Sequence, residues 1–280
     1  MITRFAPSPT GPLHLGHAYS ALLAHDMARA AGGRFLLRIE DIDRSRARPE
    51  WEALILEDLH WLGLSWPEPV MRQSDRQAAY DAALATLWAQ GLLYPCNCNR
   101  RDIAAAASAP QEGAPVQGPD GLVYPGTCRA LPRPGTMPEG VALRLDMAKA
   151  LGKVDRLGFR ETGARHRGAV PLDRDQLIAG VGDVVLARRG MGTSYHLSVV
   201  VDDGAQEITC VVRGEDLFEA TAIHVVLQTL LGLPTPVYHH HRLIRDEQGK
   251  RLAKRDDARA LRLYREAGKT PADIRAMVGL

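Results

Sequence analysis

Long apolar runs are missing from this chain, and with them any obvious membrane-spanning helix. The stretch Phe5–His25 comes nearest, being free of Asp, Glu, Lys and Arg, but it carries three prolines, two glycines and three histidines. That composition is unlike a spanning segment. A secretory leader is not expected either, because Met1-Ile-Thr-Arg-Phe-Ala-Pro leads into prolines rather than an apolar core. The expected compartment is the cytoplasm. Cysteine is scarce, four in 280 residues, too few in a chain this long for a disulfide framework. Net charge is also nearly absent: 35 Lys and Arg stand against 33 Asp and Glu, a balance that neither demands nor excludes nucleic acid. The distribution says more. Residues 242–269 hold ten basic side chains against five acidic ones, either a solvated face or a phosphate-facing stretch. No internal repeat is visible, which removes the solenoid architectures.

What is present is enough apolar material, 45% of 280 residues, for a sizeable core in one large domain or two. Ile2-Thr-Arg-Phe reads as a short strand, Leu15–Ala31 as a helix stopped by Gly32-Gly33, and Arg34–Glu40 as a second strand. That is a βαβ unit, the opening of a parallel α/β sheet, whose ligands collect beyond the carboxyl ends of the strands. Helices are expected over Pro49–Gly63, Ser74–Gly91 and Thr221–Leu231. The Ala-, Pro- and Gly-rich stretch Ala104–Gly140 reads as loop, Val141–Leu186 as a run of short strands, and Ser194–Asp203 and Ile208–Arg213 as buried strands. The expected organisation is a Rossmann-like catalytic domain in two parts, residues 1–95 and 187–240, split by an insertion over 96–186 and followed by a short helical piece over 241–280.

His14-Leu-Gly-His17 stands at the start of the first helix. Three-residue spacing makes the two imidazoles neighbours, and the helix N-terminus adds unpaired N–H groups and a positive dipole end. Two such donors suit a polyphosphate, and Gly16 leaves room for a flat base or a backbone. A pair of surface histidines, or an incomplete metal site, would carry the same spacing.

Arg4, Glu40 and Arg213 end or follow predicted strands on the same rim, joined by Tyr195. Two guanidiniums and one carboxylate complement a ligand with two carboxylates and one ammonium. Free glutamate fits that count better than glutamine. The bland alternative pairs Arg4 and Arg213 with Glu40, Asp41 or Glu215 as ordinary ion pairs. Further on, Gly249-Lys-Arg-Leu-Ala-Lys254-Arg255 is a basic loop able to close on a departing pyrophosphate, or simply a solvated one.

These blocks together resemble the class I aminoacyl-tRNA synthetases of the glutamyl type. Arg4–Gly11 with His14-Leu-Gly-His17 matches the first signature; Leu37–Asp43, Tyr195–Asp203 and Val212–Leu217 match further blocks, in family order. Arg251-Leu-Ala-Lys254-Arg255 stands where the family has Lys-Met-Ser-Lys-Ser, so Lys254 is the one clear carry-over. The resemblance implies that Arg4, Phe5, Ala6, Pro7, Ser8, Glu40, Tyr195 and Arg213 bind glutamate. It implies that His14, Gly16, His17 and Lys254 bind ATP, with Mg²⁺ assisting, and that His14, His17 and Lys254 are catalytic. The product of that step is glutamyl-adenylate.

Only 25 residues follow Arg255, whereas an anticodon-reading domain should need about 100 or more. No such domain is therefore expected, and the resemblance is to the shortened, queuosine-directed branch of the family. That branch activates glutamate without tRNA and attaches it to the queuosine base in the anticodon loop of tRNA(Asp). The same branch implies structural Zn²⁺ at Cys96, Cys98, Tyr124 and Cys128; soft thiolates favour zinc, but tyrosine is an unusual fourth donor. A monomer is expected. Two alternatives stay open: a truncated synthetase charging tRNA(Glu), and a non-catalytic descendant that binds RNA or glutamate. Nucleotidyltransferases sharing the His-x-Gly-His signature would lack the charge-matched arginines and Glu40.

Overall fold

The computed structural model describes residues 1–107, 116–155, 157–245 and 259–280. Strand β1 (Ile2–Phe5) pairs in parallel with β2 (Arg34–Ile39), Arg4 opposite Leu36, and α1 (Leu15–Ala30) is the crossover between them. The buried side of α1 carries Ala18, Ala21, Ala24 and Ala28 beside Leu15 and Leu22, small residues that let the helix lie close on the sheet. Thr3 Oγ1 donates to the Ala24 carbonyl at 2.8 Å. After α1 the chain turns through Gly32 (φ 59°) into Gly33, where a Cβ would fall 1.8 Å from the Met1 carbonyl oxygen. Glycine at 33 is therefore a requirement of the β1–β2 approach.

Helix α2 (Pro49–Trp61) leads to the two-residue strand β3 (Met71–Arg72) on the other side of β2, and α3 (Gln77–Ala89) follows. Strand β4 (Leu93–Cys96) then opens a separate antiparallel sheet. The chain continues through α4 (Arg100–Ala107) and a hairpin of β5 (Gln117–Gly118) and β6 (Gly121–Leu122). Strand β7 (Ala142–Leu145) pairs with β4, and α5 (Met147–Leu151) follows it.

Strands β8 (Gly158–Glu161) and β9 (Gly168–Pro171) form a hairpin. One helical turn, α6 (Arg174–Gln176), runs into a π turn over Leu177–Val181, and β10 (Val185–Ala187) returns to β7. The chain re-enters the parallel layer with α7 (Tyr195–Ala205), β11 (Cys210–Gly214), α8 (Thr221–Leu230) and β12 (Val237–His241). The entry to β11 is tied to β1, since Thr209 N–H donates to the Ile2 carbonyl and Ile2 N–H to Thr209 Oγ1. The C-terminal α9 (Leu261–Glu266) and α10 (Pro271–Val278) add Leu261, Ile274 and Val278 to the core around α1. Arg275 grips Asp26 with both guanidinium nitrogens. No helix among the described residues is long and apolar enough to cross a membrane.

One expectation changes, and one open point is settled. Ser194–Asp203, read as a buried strand, forms helix α7, capped by the Ser194 hydroxyl accepting from Leu197 N–H. A short Val-rich run cannot be assigned by periodicity alone; the serine cap and the burial of Asp202 and Asp203 on the helix decide it. The short strands between Val141 and Leu186 do not share one sheet. β7 and β10 pair beside β4, whereas β8 joins β12 and, with β9, extends the β11–β12 sheet.

The two parts of the parallel layer are joined by a buried polar cluster on α7. Asp203 accepts from Arg4 Nε (3.0 Å) and Nη2 (3.2 Å) and from Arg38 Nη1 (2.7 Å). Asp202 accepts from Gln73 (2.9 Å), Arg76 (3.2 Å) and Tyr80 (2.7 Å). Arg38 is fully buried, and Asp203 and Glu40 keep its charge, raising its pKa against the opposing effect of burial. Replacing Asp203 with alanine leaves two buried guanidiniums short of a counter-charge. The expected loss of unfolding free energy is about 3–5 kcal/mol, measured by urea denaturation; a loss below about 1 kcal/mol would contradict this role for the pair.

Candidate active site

His14 is the N-cap of α1. Its Nδ1 accepts from Gly16 N–H at 3.1 Å, and the Nδ1 of His17 accepts from His14 N–H at 3.2 Å, closing a reciprocal capping box. The rings lie 3.8 Å apart between centroids, tilted by 30°. With both Nδ1 atoms used as acceptors, the ring protons of the pair fall on Nε2. The pair thus places two Nε2 positions beside a helix N-terminus. Gly16 also has a nearer reason than ligand access: a Cβ there would fall 3.0 Å from His14 Cε1 and crowd the ring.

The Phe5–Ser8 segment runs from the end of β1 toward this turn. Phe5 meets the His17 ring edge-on at 6.5 Å, the Pro7 carbonyl accepts from Glu40 N–H at 3.0 Å, and Ala6 and Ser8 are half-buried. Lys254 and the rest of its signature lie outside the described residues. The chain just beyond them returns to the histidine turn, where Leu261 N–H donates to the Leu13 carbonyl at 2.8 Å and Ala260 bridges His14.

The charged constellation is brought together, but not with every arm open. Arg4, Glu40, Arg213 and Asp203 all act on the Tyr195 hydroxyl, whose pKa is raised by burial first and then adjusted by these charges. Tyr195 belongs to a helix rather than a strand. Arg4 is already committed to Asp203 through two nitrogens. Glu40 accepts from Arg38 at 3.1 Å, and burial still raises its pKa despite Arg38 and Arg4. Arg38 and Asp203 are thus structural partners that the sequence reading missed. The signal for Arg38 was its position two residues before Glu40 on a strand, which puts both on one face.

Arg213 is different. It donates to His240 Nε2 (3.1 Å), His224 Nδ1 (3.1 Å), Thr221 Oγ1 (2.8 Å) and the Leu217 carbonyl (3.2 Å). Every one of these acceptors is neutral, and no ion pair of Arg213 occurs among the described residues. Its charge is held in place without being neutralised. The alternative pairing of Arg213 with Glu215 does not occur there: Glu215 lies 3.6 Å from Arg165.

The chain also has close likenesses among known proteins. The sequence matches the family described as tRNA synthetases class I (E and Q), catalytic domain, over residues 1–131 and 153–280. The chain belongs to this family. It is 67% identical to a glutamyl-Q tRNA(Asp) synthetase of Rhodobacter capsulatus, covering 100% of both chains. It is 45% identical to another of that name in Nocardia farcinica, over 98% of this chain and 82% of that one. A crystal structure of a glutamate tRNA ligase from Elizabethkingia meningosepticum in complex with its amino acid superposes with a TM-score of 0.70 at 29% identity, over 91% of this chain. The chain spans about half of that structure, 52%. The α/β catalytic fold of class I synthetases is therefore established.

A second cluster of ligand-type side chains lies at the end of β4. The sulfur atoms of Cys96, Cys98 and Cys128 lie within 4.8 Å of one another, with Cys98 and Cys128 at 3.5 Å. Tyr124 Oη is 3.5 Å from Cys96 Sγ and 3.4 Å from Cys98 Sγ. A tetrahedral zinc site with bonds near 2.3 Å places its sulfurs about 3.8 Å apart, so the donor set fits that ion. Arg144 supports anionic sulfur, donating to Cys96 Sγ at 3.3 Å while lying 3.8 Å above the Tyr124 ring. Against the raising effect of burial, hydrogen bonds from Tyr124, the Asn97 backbone and the other two cysteines hold the Cys128 thiol down at about 7. Cys210 is apart from this set, buried in the core beside β1, and burial raises its thiol to about 11.

Buried imidazoles give the fold a marked pH response. Burial lowers the pKa of His25, His224, His239, His240 and His241, His240 to about 4. The unfolded chain takes up these protons near the ordinary histidine pKa while the folded chain refuses them, so stability is lost as pH falls from about 6.5. Burial raises Asp58 to about 6 and also raises Glu40; these work in the opposite direction but are fewer. Unfolding free energy is expected to fall between pH 7 and pH 5, with His240 alone worth on the order of 1–2 kcal/mol. Denaturant titrations at the two pH values check this, and equal stability would contradict it.

Proposed function

We infer that the chain activates L-glutamate with ATP, without needing tRNA, and passes the glutamyl group to the queuosine base of tRNA(Asp). The observation that carries the glutamate reading is Arg213, a buried cation whose hydrogen-bond partners among the described residues are all neutral. It sits in one electrostatic neighbourhood with Glu40, Arg4 and Tyr195. A ligand carboxylate supplies the missing counter-charge. The queuosine acceptor rests on the full-length likeness to glutamyl-Q tRNA(Asp) synthetases.

In this reading Arg213 and Tyr195 hold glutamate carboxylates. Arg4 contributes its charge through the Asp203 pair rather than as an open fork. Glu40, pushed toward protonation by burial, regains a reason to be ionised when the substrate ammonium arrives. The Phe5–Ser8 segment forms the wall between glutamate and the histidine turn. His14 and His17 donate from Nε2 to the triphosphate, with Gly16 keeping the His14 ring unobstructed. Mg²⁺ bound with ATP would supply charge neutralisation on the phosphates.

The α-carboxylate of glutamate attacks the α-phosphorus, forming the acyl-phosphate bond and expelling pyrophosphate. Lys254 is proposed to meet that leaving charge. The glutamyl group then moves from AMP to a hydroxyl of the queuosine cyclopentene ring. The adenylate is already activated, so correct positioning of the hydroxyl is the main requirement of this step.

Three measurements test this reading. The protein alone should catalyse glutamate-dependent ATP–pyrophosphate exchange, and Arg213→Ala should lower that exchange on the order of 100-fold; an unaffected variant would count against the glutamate site. Labelled glutamate should enter tRNA(Asp) containing queuosine but not the same tRNA lacking it. Equal labelling, or labelling of tRNA(Glu) at its 3′ end, would favour ordinary glutamyl-tRNA synthesis.

Cys96, Cys98, Cys128 and Tyr124 are proposed to hold one structural zinc ion that pins the surrounding loops. Metal analysis should find zinc in the purified protein and a loss in Cys128→Ser. Full retention in Tyr124→Phe would reduce the ligand set to the three cysteines.

A further inference from the structure

Arg213 is flanked by two histidines, and each leads to a carboxylate with which Arg213 itself makes no hydrogen bond among the described residues. On one side His240 accepts from Arg213 Nε, and its Nδ1 lies 2.5 Å from Glu161 Oε2. On the other side the connection is longer. Arg213 Nη1 donates to His224 Nδ1 at 3.1 Å, His224 Nε2 lies 3.1 Å from His196 Nδ1, and His196 Nε2 lies 3.2 Å from Asp120 Oδ1. His196 and His224 are buried, 5% and 2% exposed, so water has little part in satisfying either ring.

The chemistry of the end groups sets one direction along this chain. Arginine offers only N–H donors, so His224 must present a bare Nδ1 and carry its proton on Nε2. That proton points at His196 Nδ1, which must therefore be bare as well. The His196 proton is then on Nε2, facing Asp120, a carboxylate that only accepts. Burial first, and then the Arg213 charge, push the pKa of His224 well down, which keeps its Nδ1 lone pair available. If Asp120 were removed, the His196 Nε2 proton would lose its acceptor, and only the His224 Nε2–H would still favour that tautomer. A proton moved to its Nδ1 would confront the His224 Nε2–H. Relief of that clash transfers the conflict to Arg213, which loses an acceptor.

We propose that Asp120 and His196 are positioning residues for the amino-acid site, fixing through His224 the acceptor that aims Arg213 at the substrate carboxylate. Asp120 lies in the turn between β5 and β6, in the segment between Cys98 and Tyr124. The seating of that hairpin is thereby coupled to glutamate affinity. The inference rests on the reading of Arg213 as a glutamate partner given above.

Glutamate-dependent exchange by full-length Asp120→Ala should show a KM for glutamate raised about tenfold, with the KM for ATP and kcat changed less than about twofold. Asp120→Asn keeps an accepting oxygen and should recover most of the loss. An unchanged KM for glutamate would overturn the proposal, as would a parallel rise for ATP or a failure of the asparagine variant to recover. Nitrogen NMR of labelled histidines provides a readout independent of activity. His196 and His224 should both be Nε2–H tautomers in the unaltered protein and lose that uniformity in Asp120→Ala. An Nδ1–H tautomer for His224 in the unaltered protein would overturn the relay. Absence of exchange in the unaltered protein would instead refute glutamate activation, leaving the NMR measurement to decide the relay.

Discussion

The adjacent carboxylates Asp202 and Asp203 hold the catalytic layer together. They sit near the end of α7, and neighbouring positions on a helix point in different directions. Asp203 faces Arg4 on β1 and Arg38 on β2, while Asp202 faces Gln73, Arg76 and Tyr80 ahead of and within α3. One helical turn thus ties the first βαβ unit to the part of the chain that returns after the insertion. Buried ions of this kind add little net stability over a well-packed apolar core, but removing one partner is costly. What they provide here is register. Arg4 and Glu40 occupy defined places because the partners of Asp203 cannot shift independently.

The same ion network separates two arginines that look equivalent in the sequence. Arg4 gives its charge to Asp203 through two nitrogens. Arg213 is surrounded by imidazole nitrogens, a hydroxyl and a carbonyl, so its geometry is fixed while no ion pair among the described residues compensates its charge. A rigid, desolvated cation is costly in the empty protein and favours an anionic ligand by a corresponding amount. Glu40 is the mirror case, a carboxylate raised by burial that an incoming ammonium would stabilise. In the proposed function, these two unfinished electrostatic sites are what would favour a zwitterion with an additional carboxylate.

Much of the fold was legible. The βαβ opening, the Gly32-Gly33 stop, the α2, α3 and α8 helices and strand β11 all follow from periodicity and punctuation, because those segments combine clear apolar spacing with strong turn residues. Helix α7 was not legible. Val199, Val200 and Val201 favour strands locally, and the Ser194 cap together with tertiary burial of Asp202 and Asp203 outweighs that preference. The sheet membership of β8 and β9 was also hidden, since a short strand carries no mark of which edge it will join. The C-terminal signature around Lys254 was read as a basic loop, and it lies outside the described residues.

The sequence by itself determined the family, the histidine turn and the choice of residue types at the site, because these depend on local spacing and on which groups can carry a charge or donate a proton. Only the tertiary structure decided which charges remain available. Arg4, Arg38, Glu40 and Asp203 are separated by up to 199 positions in the chain, and no local pattern says which of them neutralise one another. Nor does spacing reveal that Arg213 meets His224, or that Asp120 stands two imidazoles behind it. Those facts depend on long-range packing, since the strength of a buried charge is set by the dielectric and the partners around it rather than by its neighbours in sequence.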